Sequence, residues 1–84
     1  MKRTLEEIKK AEGFAEAVRE SKNIEWGGLH QEIVYNAATN EVVSHLFPDR
    51  WSRTVYDDPS DLYYVYTDRK LTQNQLAELI ANQL

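Results

Sequence analysis

Cysteine is absent from this chain of 84 residues. Its absence excludes a disulfide framework, a thiolate zinc site and a cysteine nucleophile. Glycine is scarce, with 3 residues, and no glycine-rich phosphate loop is present. No apolar run approaches the length that crossing a bilayer requires, and the first residues turn acidic at once. We therefore expect a soluble, unprocessed, cytoplasmic protein that binds no membrane.

Positive charge is also in deficit. The chain has 10 lysines and arginines against 14 aspartates and glutamates, which gives a formal net charge of −4. Binding to a phosphate backbone needs clustered basic residues, so direct nucleic-acid binding is disfavoured as the main activity. A protein partner with a basic or nucleic-acid-binding surface suits this charge better.

What is present is typical of one folded domain over residues 1–84, since 42% of the residues are hydrophobic and 29% charged. A capping box of Thr4 and Glu7 predicts that a first helix begins there and ends near residues 21–23. Its apolar stripe is Leu5, Ile8, Ala11, Ala15 and Val18, with Phe14 beside it. Gly13 should weaken its middle by about 1 kcal/mol.

Residues 24–28, with paired glycines, read as a turn with a short strand. Residues 30–36 and 41–47 are rich in β-formers around a polar turn, which predicts a hairpin. Residues 62–67 predict a third strand, and Thr72 with Gln75 predicts the start of a last helix. Without βαβ alternation, the fold class is α+β: helix, three-stranded antiparallel sheet, helix (αβββα), with both helices on one face of the sheet.

Residues 48–61 form an unusually long connection between two strands and are the first candidate for a partner-binding surface. Tryptophan, tyrosine and arginine are enriched at binding hot spots. The connection contributes the candidates Arg50, Trp51, Arg53, Tyr56, Asp57, Asp58 and Asp61, and the next strand adds Tyr63. Trp51 can serve either as a lid of the core or as a partner contact. Tyr63 shares a side with Val65, and Tyr64 and Tyr66 share the other.

A second candidate is an acidic stripe on the first helix. Glu12, Glu16 and Glu20 lie four residues apart, so on a continuous helix they stack on one face and repel one another. A stripe for a basic partner and an ordinary solvated face both fit this pattern.

A symmetric hairpin pairs Glu32 with His45 and Ile33 with Ser44. The first pair then shares a face with His30, which gathers the residue types of a two-histidine, one-carboxylate metal site. A cross-strand Glu–His pair on a solvated face needs no ligand, however. We expect no metal, no other cofactor and no catalytic residue, and we keep His30, Glu32 and His45 as the weak candidates for a small metal-dependent enzyme.

In its size, its lack of cysteine and its helix–strands–helix order, the chain resembles the small acidic inhibitors of phages and other mobile elements. These include anti-CRISPR and other anti-defence proteins. The exposed acidic and aromatic residues that carry the resemblance are Glu12, Glu16, Glu20, Trp51, Asp57 and Asp58. The resemblance implies a non-catalytic protein that blocks a larger nucleic-acid-binding complex. The alternative is a homo-oligomeric structural or regulatory module, a homodimer for example, that pairs through residues 62–67 or through the last helix.

Overall fold

The structure, a computed structural model, describes residues 3–26, 29–48 and 61–84, without the side chains of Glu25, Trp26 and Pro48. The elements in chain order are α1 (Leu5–Lys9), α2 (Phe14–Ser21), a 3-10 helix (Lys22–Trp26), β1 (Leu29–Asn36), β2 (Glu41–Pro48), β3 (Leu62–Thr67) and α3 (Gln73–Ala81). The 3-10 helix replaces the start of the turn and short strand expected at 24–28. The candidates Arg50, Trp51, Arg53, Tyr56, Asp57 and Asp58 lie outside the described residues.

The three strands form one antiparallel sheet in the order β2-β1-β3. The expected hairpin register is confirmed, since Ile33 lies opposite Ser44 and Glu32 opposite His45. On the other side of β1, Ile33 lies opposite Val65. The α+β fold class, with helices flanking an antiparallel sheet, is confirmed.

The side chains of two asparagines fix the turn between β1 and β2. Asn36 Oδ1 accepts hydrogen bonds from the N–H groups of Ala38 at 2.9 Å and Thr39 at 3.3 Å. This is the Asx geometry that lets asparagine stabilise a turn. Asn40 has a φ of 56°, in the left-handed region that asparagine tolerates. Its amide also accepts from the Tyr35 hydroxyl at 2.7 Å and donates to the Glu7 carbonyl at 3.0 Å, which ties the turn to α1.

The prediction of one continuous first helix is wrong. The capping box of Thr4 and Glu7 forms as expected, but α1 ends at Lys9, and α2 begins after Gly13, whose φ is 85°. Between them the backbone of Glu12 pairs with β2. Its N–H donates to the Asn40 carbonyl at 3.2 Å, and its carbonyl accepts from the Val42 N–H at 2.7 Å. The chain leaves the helix here because Glu12 is used as an added strand residue beside β2.

The break between α1 and α2 also changes which residues of the predicted first helix are buried. Ala15, expected in the apolar stripe, is exposed, and Ala17 is fully buried instead. Glu12 is not on a helix, so the three-glutamate stripe does not form as expected. Glu16 and Glu20 remain four apart on α2, where Glu16 is exposed and Glu20 half-buried.

The last helix begins as the sequence predicts. Thr72 and Gln75 form a reciprocal capping box at the start of α3. Leu76, Ala77 and Ile80 are fully buried, whereas Leu79 of the same helix is 38% exposed. No helix among residues 3–26, 29–48 and 61–84 combines the length and apolar character needed to cross a bilayer.

The helices pack on one face of the sheet, which we call the covered face. Its strand residues in the described core are Ile33, Tyr35, Val42 and Val65, and they cluster with buried residues of all three α-helices. Gln31 is the buried polar exception. Its Nε2 atom donates to the Ala17 carbonyl at 2.9 Å and to Ser44 Oγ at 2.7 Å, so it links α2 to both strands of the hairpin.

Candidate protein-binding surface

The opposite side of the sheet presents a second set of side chains, which we call the open face. Residues alternate between the two faces of a strand, so the register fixes its membership. No described residue of this set belongs to the apolar core. The set consists of His30, Glu32, Val34 and Asn36 from β1, Glu41, Val43, His45 and Phe47 from β2, and Leu62, Tyr64 and Tyr66 from β3.

Large apolar side chains are exposed on this open face. Val43 is 51% exposed and Tyr66 is 39% exposed, although both lie within strands. Phe47, Leu62 and Tyr64 are half-buried on the same face. Because an exposed apolar patch on one face commonly marks an interaction site, the open face is the strongest candidate surface of the described residues.

The side chains of the open face form rows across the sheet. One row is wholly apolar and aromatic, with Val43, Val34 and Tyr64 side by side. A depression of about 310 Å³ lies over this row, and we call it the groove. Its lining residues are Val34, Asn36, Glu41, Val43, His45, Leu62 and Tyr64.

Aromatic rings stiffen two edges of the open face. The rings of Tyr64 and Tyr66 stack with centroids 6.4 Å apart and an angle of 7° between their planes. The rings of His30 and Phe47 stack at 5.8 Å. Stacked aromatic side chains offer a large contact area and lose little freedom when a partner binds.

The structure corrects the choice of Tyr63 as a partner-contacting residue. Tyr63 lies opposite Tyr35 on the covered face and packs against the core. Tyr64 and Tyr66 are the strand tyrosines of the open face. The alternation in residues 62–67 already separates the two sets, but only the pairing of β3 with β1 shows which set faces the helices.

Two acidic residues lie at one end of the groove, which we call the acidic end. Glu41 lines the groove, and Glu12 pairs with Glu41 across an isolated bridge. Both residues are exposed. Glu12 thus keeps a place beside the candidate surface, although the helical stripe that suggested it does not exist. Asp61 is also exposed, but its carbonyl accepts from the N–H of the buried Ala37 at 2.9 Å, so alternation puts its side chain on the side of the covered face.

The weak metal candidates share the open face, but they do not make a metal centre. Glu32 lies opposite His45 as expected, and Glu32 is only 4% exposed. The ring of His30 stacks on Phe47. Within residues 3–26, 29–48 and 61–84, no group of three or more histidine, cysteine, aspartate or glutamate side chains is arranged to hold a metal ion.

Two groups with shifted pKa values lie away from the open face and serve the fold. Hydrogen bonds from the Thr4 backbone and side chain lower the pKa of Glu7 in the α1 capping box. Burial raises the pKa of the Tyr35 hydroxyl on the covered face. Neither group contacts the groove.

The open face therefore offers apolar and aromatic side chains for contact and carboxylates at one end for pairing with cations. These are groups that bind a partner. No protein-family model, curated protein or solved structure matches this chain.

Proposed function

We propose that this chain is a non-enzymatic protein-binding module that inhibits a larger complex by occupying its basic, nucleic-acid-binding surface. The contact surface in this proposal is the open face together with its acidic end. The observation that carries the proposal is the exposure of Val43 and Tyr66 on one face of the sheet, with the exposed carboxylates of Glu12 and Glu41 at one end of that face. A centre of apolar and aromatic side chains with charged residues at the rim is the common anatomy of protein interfaces.

The charge of the open face supports a protein partner over a nucleic acid. Of the described residues that form this face, none is a lysine or an arginine, and Glu41 adds an exposed carboxylate to it. A phosphate backbone would be repelled by this carboxylate and would find no basic side chain among these residues. A partner's lysines and arginines would instead be attracted, and long-range attraction accelerates association. This role agrees with the resemblance to phage and mobile-element inhibitors.

A matched pair of variants tests the proposal. Val43→Lys places a positive charge in the apolar row of the open face, and Leu79→Lys places the same charge on α3, where the leucine is 38% exposed. Both variants and the original chain are used as bait in an extract of the host cells in which the protein acts, at low and at high salt. We expect the original chain and Leu79→Lys to retain one stoichiometric partner and Val43→Lys to lose it, with similar melting temperatures for all three.

Two results would refute the proposal. The first is the absence of any stoichiometric partner at either salt concentration. The second is equal capture of the partner by Val43→Lys and by the original chain.

The homo-oligomer remains a second candidate because β3 is an edge strand, as pairing through residues 62–67 requires. The bond from Ala37 to Asp61 fixes the ladder so that the backbone groups of Leu62, Tyr64 and Tyr66 point away from β1. The side chain of Gln83 already donates to the outward carbonyl of Tyr64. A second copy would have to displace Gln83, and we therefore prefer the open face to the β3 edge as the contact surface.

A further inference from the structure

The size of the groove limits what can enter it. Its volume of about 310 Å³ is at the low end of the roughly 300–1,000 Å³ typical of ligand pockets. One or two side chains fill such a space. The contacting part of a partner is therefore a projecting side chain with its immediate neighbours.

The lining residues determine which kind of side chain fits. Val34, Val43, Leu62 and Tyr64 form its floor and sides, and the polar residues stand at its two ends. Burying an apolar side chain against this floor is favourable in proportion to the area removed from water. A polar side chain loses its hydration on entering such a space, whereas an apolar side chain gives up no hydrogen bond with water.

The acidic end adds a requirement for positive charge. Among the described residues, no ion pair joins Glu12 or Glu41 to a lysine or arginine. Lys9 instead pairs with Glu6 at 3.6 Å, and Arg69 with Asp68 at 3.8 Å. Arg3 lies at the same end of the sheet, where its guanidinium donates to the Ala37 carbonyl at 2.6 Å.

The spacing of the rows relates the two requirements. Glu41 lies two residues before Val43 on β2, so the acidic end is about 7 Å from the apolar row along the strand direction. In an extended peptide, side chains two positions apart also point to the same side at about 7 Å. An apolar anchor over Val43 and Val34 therefore places a side chain two positions away over Glu41.

We propose that the groove docks an extended segment of the partner that carries a large apolar residue with a lysine or arginine two positions away. This inference rests on the proposed function and specifies the chemistry of its contact. The apolar side chain fills the groove, and the cation pairs with Glu41 and its acidic neighbour.

Short synthetic peptides provide the test. The probe contains leucine, serine and lysine in that order within a serine–glycine background. One comparison peptide replaces the leucine by serine, a second replaces the lysine by glutamate, and a third puts leucine and lysine side by side. Each is titrated into the ¹⁵N-labelled full chain, and amide chemical shifts report where and how tightly it binds.

We expect the probe to shift the amides of Val34, Val43 and Leu62. Loss of the leucine should weaken binding at least about ten-fold, because the buried apolar contact disappears. Glu41→Gln should weaken binding of the probe about two- to five-fold, which is the range of an exposed ion pair. The same variant should not weaken binding of the peptide in which glutamate replaces the lysine. Glu41 is exposed, so this variant preserves the fold. Glu16→Gln on α2 is the matched control and should leave the affinity unchanged.

Equal binding of the serine peptide would overturn the inference, because attraction would then be electrostatic only. Shifts confined to α2, or equal binding by the peptide with adjacent leucine and lysine, would overturn it as well. The result for Val43→Lys in the extract is independent of these outcomes. If Val43→Lys loses the partner while no peptide binds the groove, the proposed function stands and this inference fails; if the peptides bind and Val43→Lys still captures the partner, the proposed function fails.

Discussion

Replacing Gly13 by alanine should be among the most destabilising small substitutions in the chain. The backbone at this position has a φ of 85°, and a Cβ atom added there would overlap the Val42 carbonyl oxygen. A left-handed conformation costs a residue other than glycine about 1–2 kcal/mol. The overlap also forces Glu12 away from β2, where it makes two backbone hydrogen bonds worth about 0.5–1.5 kcal/mol each. We therefore expect Gly13→Ala to lower the free energy of unfolding by about 2–5 kcal/mol.

That loss is large for a chain of this size, since 84 residues are typically stable by roughly 4–13 kcal/mol. Urea denaturation measures the free energy of unfolding, and the melting temperature should fall by roughly 8–40 °C. The matched control is Ala15→Gly, two residues later and exposed, which should cost no more than about 1 kcal/mol. Hydrogen exchange adds a local measurement, because the Val42 amide should lose protection in Gly13→Ala. The reasoning is refuted if the free energy of unfolding of Gly13→Ala lies within about 1 kcal/mol of that of the original chain. It is also refuted if the Val42 amide hydrogen exchanges no faster in the variant.

Two further predictions concern pH. Hydrogen bonds with Thr4 lower the pKa of Glu7, so its contribution to stability is present above the ordinary pKa and is lost as the pH falls through the lowered one. Glu7→Gln should remove this acid dependence from melting temperatures measured between neutral and acidic pH. Gln75→Glu at the equivalent position of α3 should introduce it, and unchanged acid profiles in both variants would contradict the assignment. Burial raises the pKa of Tyr35, so its contribution is complete below the ordinary pKa of about 10 and declines at higher pH. Tyr35→Phe should cost about 0.5–1.5 kcal/mol at neutral pH through the lost bond to Asn40, and urea denaturation should show this difference shrinking in alkali; a constant difference would contradict it.

The elements that could be predicted from the sequence depend on residues close together in the chain. The capping boxes of Thr4 with Glu7 and Thr72 with Gln75 form because both partners lie within one turn. The hairpin register follows from a short turn with strands of equal length on either side. Asn36 adds a local hydrogen-bonding reason for the turn.

The errors have causes distant in the sequence. The first helix breaks at residues 10–13 because β2, almost thirty residues later, takes the backbone of Glu12 as a neighbour. The periodicity of apolar residues in a helix carries no information about such a long-range backbone pairing. Likewise, alternation separates Tyr63 from Tyr64, but the covered face depends on β3 pairing with β1, which no local pattern specifies. For these reasons the helical stripe and Tyr63 give way to the open face, whereas the candidates between Arg50 and Asp58 lie outside the described residues and stay predictions.

The sheet order β2-β1-β3 also has a consequence for how the groove forms during folding. Asn36 pairs with Glu41, which follows it by about 5 residues in the chain. It also pairs with Leu62, which follows it by about 26 residues. Closing the longer loop costs about 1.5 kcal/mol more in chain entropy, so the hairpin should assemble before β3 docks. Leu62 and Tyr64 arrive with β3, whereas Val34 and Val43 are already paired. A chain in which only the hairpin has formed thus has five of the seven residues that line the groove, and the complete binding surface forms only with the last long-range pairing.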